Sequence, residues 1–329
     1  MLPGKPGYGR PPKKPLIDGI YTADPSAHVF DGKLYIYPSH DQDDDGTHAG
    51  DADAYNMVDY HVFSMEQATG PVTDHGVALR VSDIPWVSRQ LWAPDAAYKN
   101  DTYFLYFPAR DRRGIFRIGV AVSDSPTGPF IADPAPIEGS FSIDPAVFVD
   151  DDDQAYMYFG GLWGGELERW TTGSYNPQGT EPAAGTPAIG PRVARLSANM
   201  RSFDGPVKEA QIITADGTPV KAGSAMRFFE GAWVHKKGTT YYLSYSTGDN
   251  HTIVYATSNS PWGPFIYRGV ILSPVIGWTT HHSIVEFKGK WYLFYHDASL
   301  SGGVDHQRCV KVAELEYRQD GSIKPIKPE

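Results

Sequence analysis

One type of segment recurs five times along the 329-residue chain, and this repeat constrains the fold more than any other feature. Each copy has a polar opening, a short apolar run, a tight turn and an aromatic-rich alternating run, which is the pattern of a β-hairpin. The copies lie at residues 23–39, 92–109, 143–161, 229–247 and 280–297. The repetition predicts that similar small sheets follow one another along the chain.

A second motif follows two of the hairpins. Residues 117–130 (RIGVAVSDSPTGPF) and 252–265 (TIVYATSNSPWGPF) both read as an alternating strand followed by Ser-x-Ser-Pro-x-Gly-Pro-Phe. Each unit therefore carries further strands, and five such units around an axis predict an all-β, five-bladed β-propeller. A two-sheet sandwich with coincidentally similar hairpins is the alternative, whereas no long window keeps the period of a helix.

Charge and composition argue against some classes of binding partner. The formal net charge of −10 disfavours nucleic acids and anionic membranes, because both attract basic surfaces. The single cysteine, Cys309, excludes an intrachain disulfide. The basic, proline-rich N-terminus lacks the apolar core of a secretory signal, so we expect a cytoplasmic protein unless a signal has been removed. We expect residues 1–15 to be a flexible lead-in and residues 16–329 to form a single propeller domain.

The opening of each unit carries a candidate site residue. Counting back eight residues from each hairpin turn reaches Asp24, Ala93, Asp144, Glu230 and His281. In a propeller, equivalent positions on the innermost strands face the axis at about the same height. We therefore expect four ionisable side chains from four blades to converge on one cavity.

Carboxylates held together in this way favour a catalytic interpretation. Burial and like charges raise at least one pKa, and a raised pKa beside an ordinary one separates a general acid from a general base. Four tryptophans near the same rim could stack on a sugar ring, although packing within the blades is the alternative for each: Trp92, Trp163, Trp233 and Trp278. Packing is the favoured interpretation for Trp233. Paired carboxylates with an aromatic platform indicate glycoside hydrolysis.

The five-unit pattern resembles glycoside hydrolase family 43. The resemblance rests on TADPSAHVFDGKLYIY, FSIDPAVFVDDDDQAYMYF, RFFEGAWVHKKGTTYYLSYS and THHSIVEFKGKWYLFYHD, with LWAPDAAY and SPTGPF in agreement, and it covers about residues 16–325. It implies a five-bladed propeller that hydrolyses glycosides with inversion at the anomeric carbon.

The resemblance also assigns roles by position. Asp24 would be the general base that activates water, Glu230 the general acid, and Asp144 the residue that orients Glu230 and keeps its pKa high. His281 matches an axial histidine that contacts a central calcium ion, often partly through water. Arg308 resembles an arginine that reaches the pocket beside the acid.

The branch that this chain most resembles contains β-xylosidases and α-L-arabinofuranosidases. We therefore expect an exo-acting enzyme that removes xylose from the non-reducing end of β-1,4-xylo-oligosaccharides. Action on α-L-arabinofuranosides, in arabinose-substituted oligosaccharides, is either a side reaction or the main role. A sugar-binding propeller without catalysis and an endo-arabinanase are further alternatives.

Two long stretches lack a strand pattern, at residues 41–54 and 162–190. We expect them to be loops on one face that close one end of the pocket, which favours exo action. Asp41, Asp43 and Asp45 match the opening of an EF-hand calcium loop, but position twelve is Ala52 rather than a glutamate. A solvated acidic loop is the favoured interpretation there.

Overall fold

The computed structural model describes residues 14–42, 54–248 and 251–328. These residues form twenty-one β-strands and no α-helix. Short 3-10 turns occur at Val81–Asp83, Trp163–Gly165 and Leu167–Trp170. None of the described helical segments has the length and apolar character that crossing a membrane requires. The acidic positions Asp43 and Asp45 and most of the predicted lead-in lie outside the described residues, so the expectations about them stay predictions.

The strands form five sheets that follow one another along the chain. The first contains Thr22–Phe30 (β1), Lys33–His40 (β2), Asp59–Met65 (β3) and Thr73–Arg80 (β4). The second contains Val87–Arg89 (β5), Asp95–Lys99 (β6), Thr102–Asp111 (β7), Phe116–Ser123 (β8) and Ile131–Ala132 (β9). The third contains Ala146–Val149 (β10), Ala155–Phe159 (β11), Arg192–Arg195 (β12) and Lys208–Glu209 (β13).

The last two sheets complete the set. The fourth contains Ile212–Ile213 (β14), Phe228–Lys237 (β15), Thr240–Thr247 (β16), Ile253–Ser258 (β17) and Phe265–Leu272 (β18). The fifth contains His282–Phe287 (β19), Lys290–Asp297 (β20) and Cys309–Leu315 (β21). Strands within each sheet pair antiparallel, except that β14 runs parallel to β18 at the outer edge of the fourth sheet.

The first strand of each predicted hairpin lies at a common axis. Strands β1, β6, β10, β15 and β19 contact one another in that order, and β19 contacts β1 again. Side chains link them: Asp95 accepts from the Ser26 hydroxyl and from the Val147 backbone N–H, both at 2.5 Å. Trp233 Nε1 donates to the Ile284 carbonyl at 3.0 Å. The ring confirms the five-bladed β-propeller and excludes the sandwich.

Aromatic side chains fill the spaces between blades. Along β7, Tyr103, Leu105 and Phe107 pack in one cluster with the first blade, while Phe104 and Tyr106 pack with the third. Because successive side chains of a strand point to opposite faces, a strand between two blades needs apolar residues on both. Burying one such side chain contributes about 1.5–3 kcal/mol. This requirement explains the aromatic half of each repeat.

The Ser-Pro-x-Gly-Pro-Phe motif anchors neighbouring blades. The Tyr37 hydroxyl, on β2, donates to the Pro126 carbonyl of the second blade at 2.6 Å. The Tyr158 hydroxyl, on β11, donates to the Pro261 carbonyl of the fourth blade at 2.5 Å. The two prolines occupy the same position in the two copies of the motif, so the sequence repeat corresponds to a repeated tyrosine anchor.

The segment ahead of β1 closes the ring. The Leu16 backbone N–H donates to the Val310 carbonyl at 2.8 Å, and the Thr22 N–H donates to the Arg308 carbonyl at 2.9 Å. Ile17 is buried in a cluster that joins the fifth and first blades. The beginning of the described chain therefore lies beside β21 of the last blade.

Replacing Tyr158 by phenylalanine is expected to lower the free energy of unfolding by about 1 kcal/mol, because the partly buried Pro261 carbonyl loses its donor. Equilibrium urea denaturation measures this change. Tyr98→Phe is the matched control, since the Tyr98 hydroxyl bonds Asp101 at the exposed surface. An equal loss in both variants would contradict the anchor role.

Candidate active site

All five residues at the repeat-equivalent position line one cavity of about 420 Å³, as the count from the hairpin turns predicts: Asp24, Ala93, Asp144, Glu230 and His281. Each lies within three residues of the start of an innermost strand. The cavity therefore opens at the end of the propeller where these strands begin. Arg308 and Trp92 line the same cavity.

The backbone is irregular where the acidic residues lie. Asp24 and Asp144 have φ of +48° and +57°, and Gly231, next to Glu230, has φ of +66°. The pairing of β1 with β2 shifts around Asp24, and that of β15 with β16 shifts on both sides of Glu230. Non-glycine residues adopt positive φ at a cost, and bulges of this kind redirect a side chain. The irregularities turn the carboxyl groups into the cavity.

Asp24 is held as an ionised acceptor. Its carboxylate accepts from the Ser39 hydroxyl at 2.6 Å and from Arg308 Nη1 at 3.1 Å. Its backbone N–H donates to His296 Nδ1 at 3.0 Å. Burial alone would raise the pKa of Asp24, but Arg308 and the histidines His296 and His281 hold this pKa well below its usual range. Asp24 can therefore receive a proton at neutral pH.

Arg308 is shared between two carboxylates. Its Nε and Nη2 atoms donate to Asp41 at 2.8 and 2.7 Å, and Nη1 donates to Asp24. The sequence resemblance placed Arg308 beside the acid, but its direct partner is Asp24 and it acts on Glu230 only at longer range. Its charge must be compensated because the side chain is buried.

Asp41 is a site residue that the sequence analysis missed, since it was assigned to a solvated acidic loop. Asp41 is 2% exposed, and its carboxylate accepts hydrogen bonds from the guanidinium of Arg308. The available signal was strand alternation: Asp41 lies two residues after Ser39, so both side chains point to the same face. Its occupation by Arg308 also removes it from any calcium loop.

Glu230 and Asp144 favour the protonated form. Burial and the negative charge of Asp24 raise the pKa of Glu230 to about 8, although Arg308 opposes the shift. Burial raises the pKa of Asp144 to about 8 against the effect of His281, and the charges of Glu230 and Asp24 add to the rise. The sequence analysis attributed the raised pKa of Glu230 to Asp144 together with burial; burial is the largest cause, and the negative charge of Asp24 acts as well. The mutual repulsion of Glu230 and Asp144 contributes to the raised pKa of Asp144.

Asp144 also acts on Glu230 through the backbone. The Gly231 N–H donates to Asp144 Oδ2 at 3.0 Å, which fixes the peptide that follows Glu230. A side chain at position 231 would have to accept a positive φ and would meet the His281 ring at 3.3 Å. Asp144 therefore fixes the backbone next to Glu230, and the orienting role that the family resemblance implies stays a prediction.

The two adjacent histidines point in opposite directions. His281 lines the cavity, with Nδ1 at 3.6 Å from Asp24 Oδ1 and 3.8 Å from Asp144 Oδ2. His282 is buried and its Nε2 lies 2.6 Å from the Ser244 hydroxyl. Only His281 faces the cavity, as strand alternation predicts.

Trp92 is fixed in the cavity wall. Its Nε1 donates to the Tyr55 carbonyl at 2.8 Å, and its ring centroid lies 4.5 Å from that of Phe116. Tyr55 also lines the cavity and packs under the guanidinium of Arg308, 5.1 Å from its centroid. One wall of the cavity is thus a rigid aromatic surface.

The opposite rim is more exposed. Trp163 and Trp278 are 47% and 41% exposed, their ring centroids lie 6.1 Å apart, and Phe229 supports Trp163 from below at 5.1 Å. Trp233 is absent from the cavity lining and is buried at the axis, in agreement with the packing interpretation. The rim offers two apolar ring faces near the mouth of the cavity.

Connections between strands supply further lining residues that sequence analysis did not identify: Tyr55, Thr279, Asp305 and His306. They lie outside the repeated hairpins, so no repeat register points to them. Together with the repeat-derived residues they form a cavity in which Asp24 is ionised, while Asp144 and Glu230 favour the protonated form. Such a set can move protons to and from a small polar molecule.

Comparison with known proteins finds a family match over most of the chain. The profile described as glycosyl hydrolases family 43 matches residues 75–323. A xylosidase/arabinosidase 43A from Humicola insolens is 60% identical over 325 residues, which cover 96% of this chain and 99% of the relative. A beta-xylosidase from Xylanibacter ruminicola is 47% identical over 324 residues, covering 95% and 99% of the two chains.

A solved structure shows the same similarity in three dimensions. It is a GH43 beta-xylosidase/alpha-arabinofuranosidase from a compost microbial metagenome, in complex with xylotriose and in a calcium-free form. It shares 63% sequence identity with this chain at a TM-score of 0.94, and the match covers 96% of this chain and 97% of that one.

The cavity carboxyl groups are expected to affect stability with opposite signs at pH 8. Between the ordinary value near ~4.3 and the folded pKa of Glu230 of about 8, the folded protein holds a proton that the unfolded chain has lost, so stability falls as pH rises. Glu230→Gln removes this loss. At pH 8 the variant should have a free energy of unfolding that is higher by on the order of 1 kcal/mol, because the open cavity screens part of the effect, and at pH 5 the gain should be smaller.

Asp24→Asn should destabilise at pH 8, because the low pKa of Asp24 in the folded protein means that its charged form stabilises the fold above the unfolded pKa. Thermal unfolding of both variants at pH 5 and pH 8 measures the two effects. Melting temperatures that move in the same direction at pH 8 would refute this assignment of protonation states.

Proposed function

The chain belongs to glycoside hydrolase family 43, and from this premise we propose that it is an inverting exo-glycosidase that releases single pentoses, chiefly xylose, from the non-reducing ends of β-1,4-xylo-oligosaccharides. The observation that carries the proposal is the pairing of an ionised Asp24 with a protonated Glu230 in one cavity. These are the states that a general base and a general acid need before the reaction.

The proposed mechanism is a single displacement. Asp24 accepts a proton from a water molecule, whose oxygen attacks the anomeric carbon. Glu230 gives its proton to the glycosidic oxygen as the carbon–oxygen bond breaks, so the sugar and the shortened chain leave with inverted configuration. Proton exchange with solvent then restores Glu230 as acid and Asp24 as base.

The ring order leaves space between the two carboxyl groups, which inversion needs. An inverting enzyme holds its two carboxyl groups roughly 6.5–9.5 Å apart, which leaves room for the attacking water. Asp24 lies on β1 and Glu230 on β15, and β19 stands between these strands around the axis. The carboxyl groups therefore belong to non-adjacent blades and can flank a sugar ring.

The remaining residues have positioning roles in this proposal. Arg308, held by Asp41, keeps Asp24 ionised, and Asp144 fixes the backbone beside Glu230. Trp92 offers an aromatic wall for the bound pentose. Residues 162–165 line one side of the cavity, and this partial closure supports action at chain ends.

The choice between xylose and arabinose is a second part of the proposal. The relatives named above include a xylosidase/arabinosidase and a beta-xylosidase, and the solved relative is bound to xylotriose. We therefore favour xylosides, with α-L-arabinofuranosidase activity as the alternative main role. Linear or arabinose-substituted oligosaccharides are the proposed substrates. The cytoplasmic location, which would suit short imported oligosaccharides, stays a prediction.

Calcium beside His281 is implied by the family resemblance, and the solved relative described above is in a calcium-free form. His281 lines the cavity, and its Nδ1 lies 3.6 Å from Asp24 Oδ1 and 3.8 Å from Asp144 Oδ2. Since calcium takes roughly six to eight oxygen ligands, an ion beside His281 would draw most of them from these carboxylates and from water. The mechanism contains no step that needs a metal ion.

Glu230→Ala is expected to lower kcat on xylobiose by about 10²–10⁴-fold, because the leaving oxygen is no longer protonated. The loss should be at least roughly tenfold smaller on 2,4-dinitrophenyl β-xyloside, whose leaving group needs no proton. Asp24→Ala is the comparison, since loss of the base should affect both substrates alike. Equal losses on both substrates in Glu230→Ala would contradict the acid assignment.

The profile of kcat/KM against pH is expected to be bell-shaped, with a basic limb near the raised pKa of Glu230, about 8. Arg308→Gln should move the acidic limb upwards, because Arg308 is the charge that most lowers the pKa of Asp24. Arg113→Gln, at an exposed position, is the control. An acidic limb that does not move in Arg308→Gln would rule out this role.

A further inference from the structure

A second cluster of possible ligands lies in the first blade, outside the cavity. His40 on β2 and Asp59 and His61 on β3 can each offer one ligand atom, and these atoms all lie within 4.8 Å of one another. The three side chains are 15–18% exposed, so the cluster is accessible from solvent but is not freely mobile on the surface. No described catalytic contact uses these side chains.

The sheet brings this cluster together. Asp59 and His61 are alternate residues of β3 and so point to the same face, and His40 reaches them from the neighbouring strand. The two imidazole rings meet edge to face with centroids 4.8 Å apart. His40 Nδ1 lies 2.5 Å from Asp59 Oδ1. His40 therefore already contacts both of the other possible ligands, Asp59 and His61.

Asp74 orients one of the imidazoles from β4. Its two carboxylate oxygens lie 3.0 and 3.2 Å from His61 Nδ1. A carboxylate on one ring nitrogen fixes the tautomer and leaves Nε2 with a free lone pair, which is the arrangement usual around metal-bound histidines. Asp74 itself lies beyond the ligand group and acts only through His61.

We propose that His40, Asp59 and His61 form a binding site for Zn²⁺ or a similar first-row transition-metal ion, with Asp74 as the residue that orients His61. Two imidazoles and one carboxylate suit such ions, whereas Ca²⁺ and Mg²⁺ require mostly oxygen ligands. Water completes a four-coordinate site. The ion takes the place of the hydrogen between His40 Nδ1 and Asp59 Oδ1, and the proton of the neutral His40 ring then lies on Nε2.

The local charge balance allows a cation. Asp59 and Asp74 supply two negative charges, and Arg80, which pairs with Asp59 across β3 and β4, supplies one positive charge. One net negative charge remains for a divalent ion when the histidines are neutral.

The site also has a structural consequence for the first blade. His40 lies between Ser39 and Asp41, whose side chains hold Asp24 and Arg308 from the opposite face of β2. A bound ion would tie the end of this strand to β3. The inference stands on the geometry of this face and does not depend on the proposed hydrolysis.

Isothermal titration with ZnCl₂ after exhaustive chelation tests the proposal on the full chain. The wild type is expected to bind one equivalent that His61→Ala lacks, while Mg²⁺ and Ca²⁺ do not compete for it. His75→Ala is the matched control, because His75 lies on β4 and bonds Ser64 instead of the cluster. It should keep the wild-type stoichiometry and affinity.

Two further measurements separate binding from misfolding. Saturating Zn²⁺ should raise the melting temperature of the wild type and of His75→Ala but not of His61→Ala, and Co²⁺ should give visible d–d absorption in the same two proteins. Asp74→Asn should weaken Zn²⁺ binding by roughly 10–100-fold. Equal Zn²⁺ stoichiometry in the wild type and a folded His61→Ala, or no binding by the wild type, would overturn the proposal.

Discussion

A single buried guanidinium determines how the cavity works. Arg308 lies between Asp24 and Asp41, and all three side chains are almost fully buried. Removing one member of such a group typically costs about 3–5 kcal/mol, because an uncompensated charge remains in the interior. Asp41 accepts from Nε and Nη2 of Arg308, while Nη1 donates to Asp24. Asp24 is thereby ionised, and its negative charge in turn favours the proton on Glu230.

The fold and four of the site residues could be predicted because both follow from repetition. A hairpin repeated five times defines one equivalent position per blade, and Asp24, Asp144, Glu230 and His281 occupy it. Asp41 was not predicted as a site residue, because it lies past the end of a repeat, where its acidic neighbours suggested a loop. The partner of Arg308 and the source of the raised pKa of Glu230 depend on distances between blades, which no spacing along the chain contains.

The packing that holds the blades apart also determines the shape of the cavity. Aromatic side chains fill both faces of strands such as β7, and Tyr37 and Tyr158 tie their blades to the proline motifs of the next. Dense packing of this kind resists small displacements. The carboxyl groups, placed at the starts of the innermost strands, therefore rest on a rigid frame, and the local irregularities at Asp24 and Asp144 are supported by it.

The closure of the ring has a consequence for the order of events in biosynthesis. Asp24 emerges early from the ribosome, whereas Arg308 belongs to the last blade, and Leu16 and Thr22 bond the backbone of that same blade. Until the last blade has been made, Asp24 lacks its guanidinium partner. The backbone hydrogen bonds that join the first and last blades also cannot form before then. The aromatic residues of the earlier blades can pack together as each blade is synthesised. The protonation states of the cavity, however, arise only when the first and last blades come into contact.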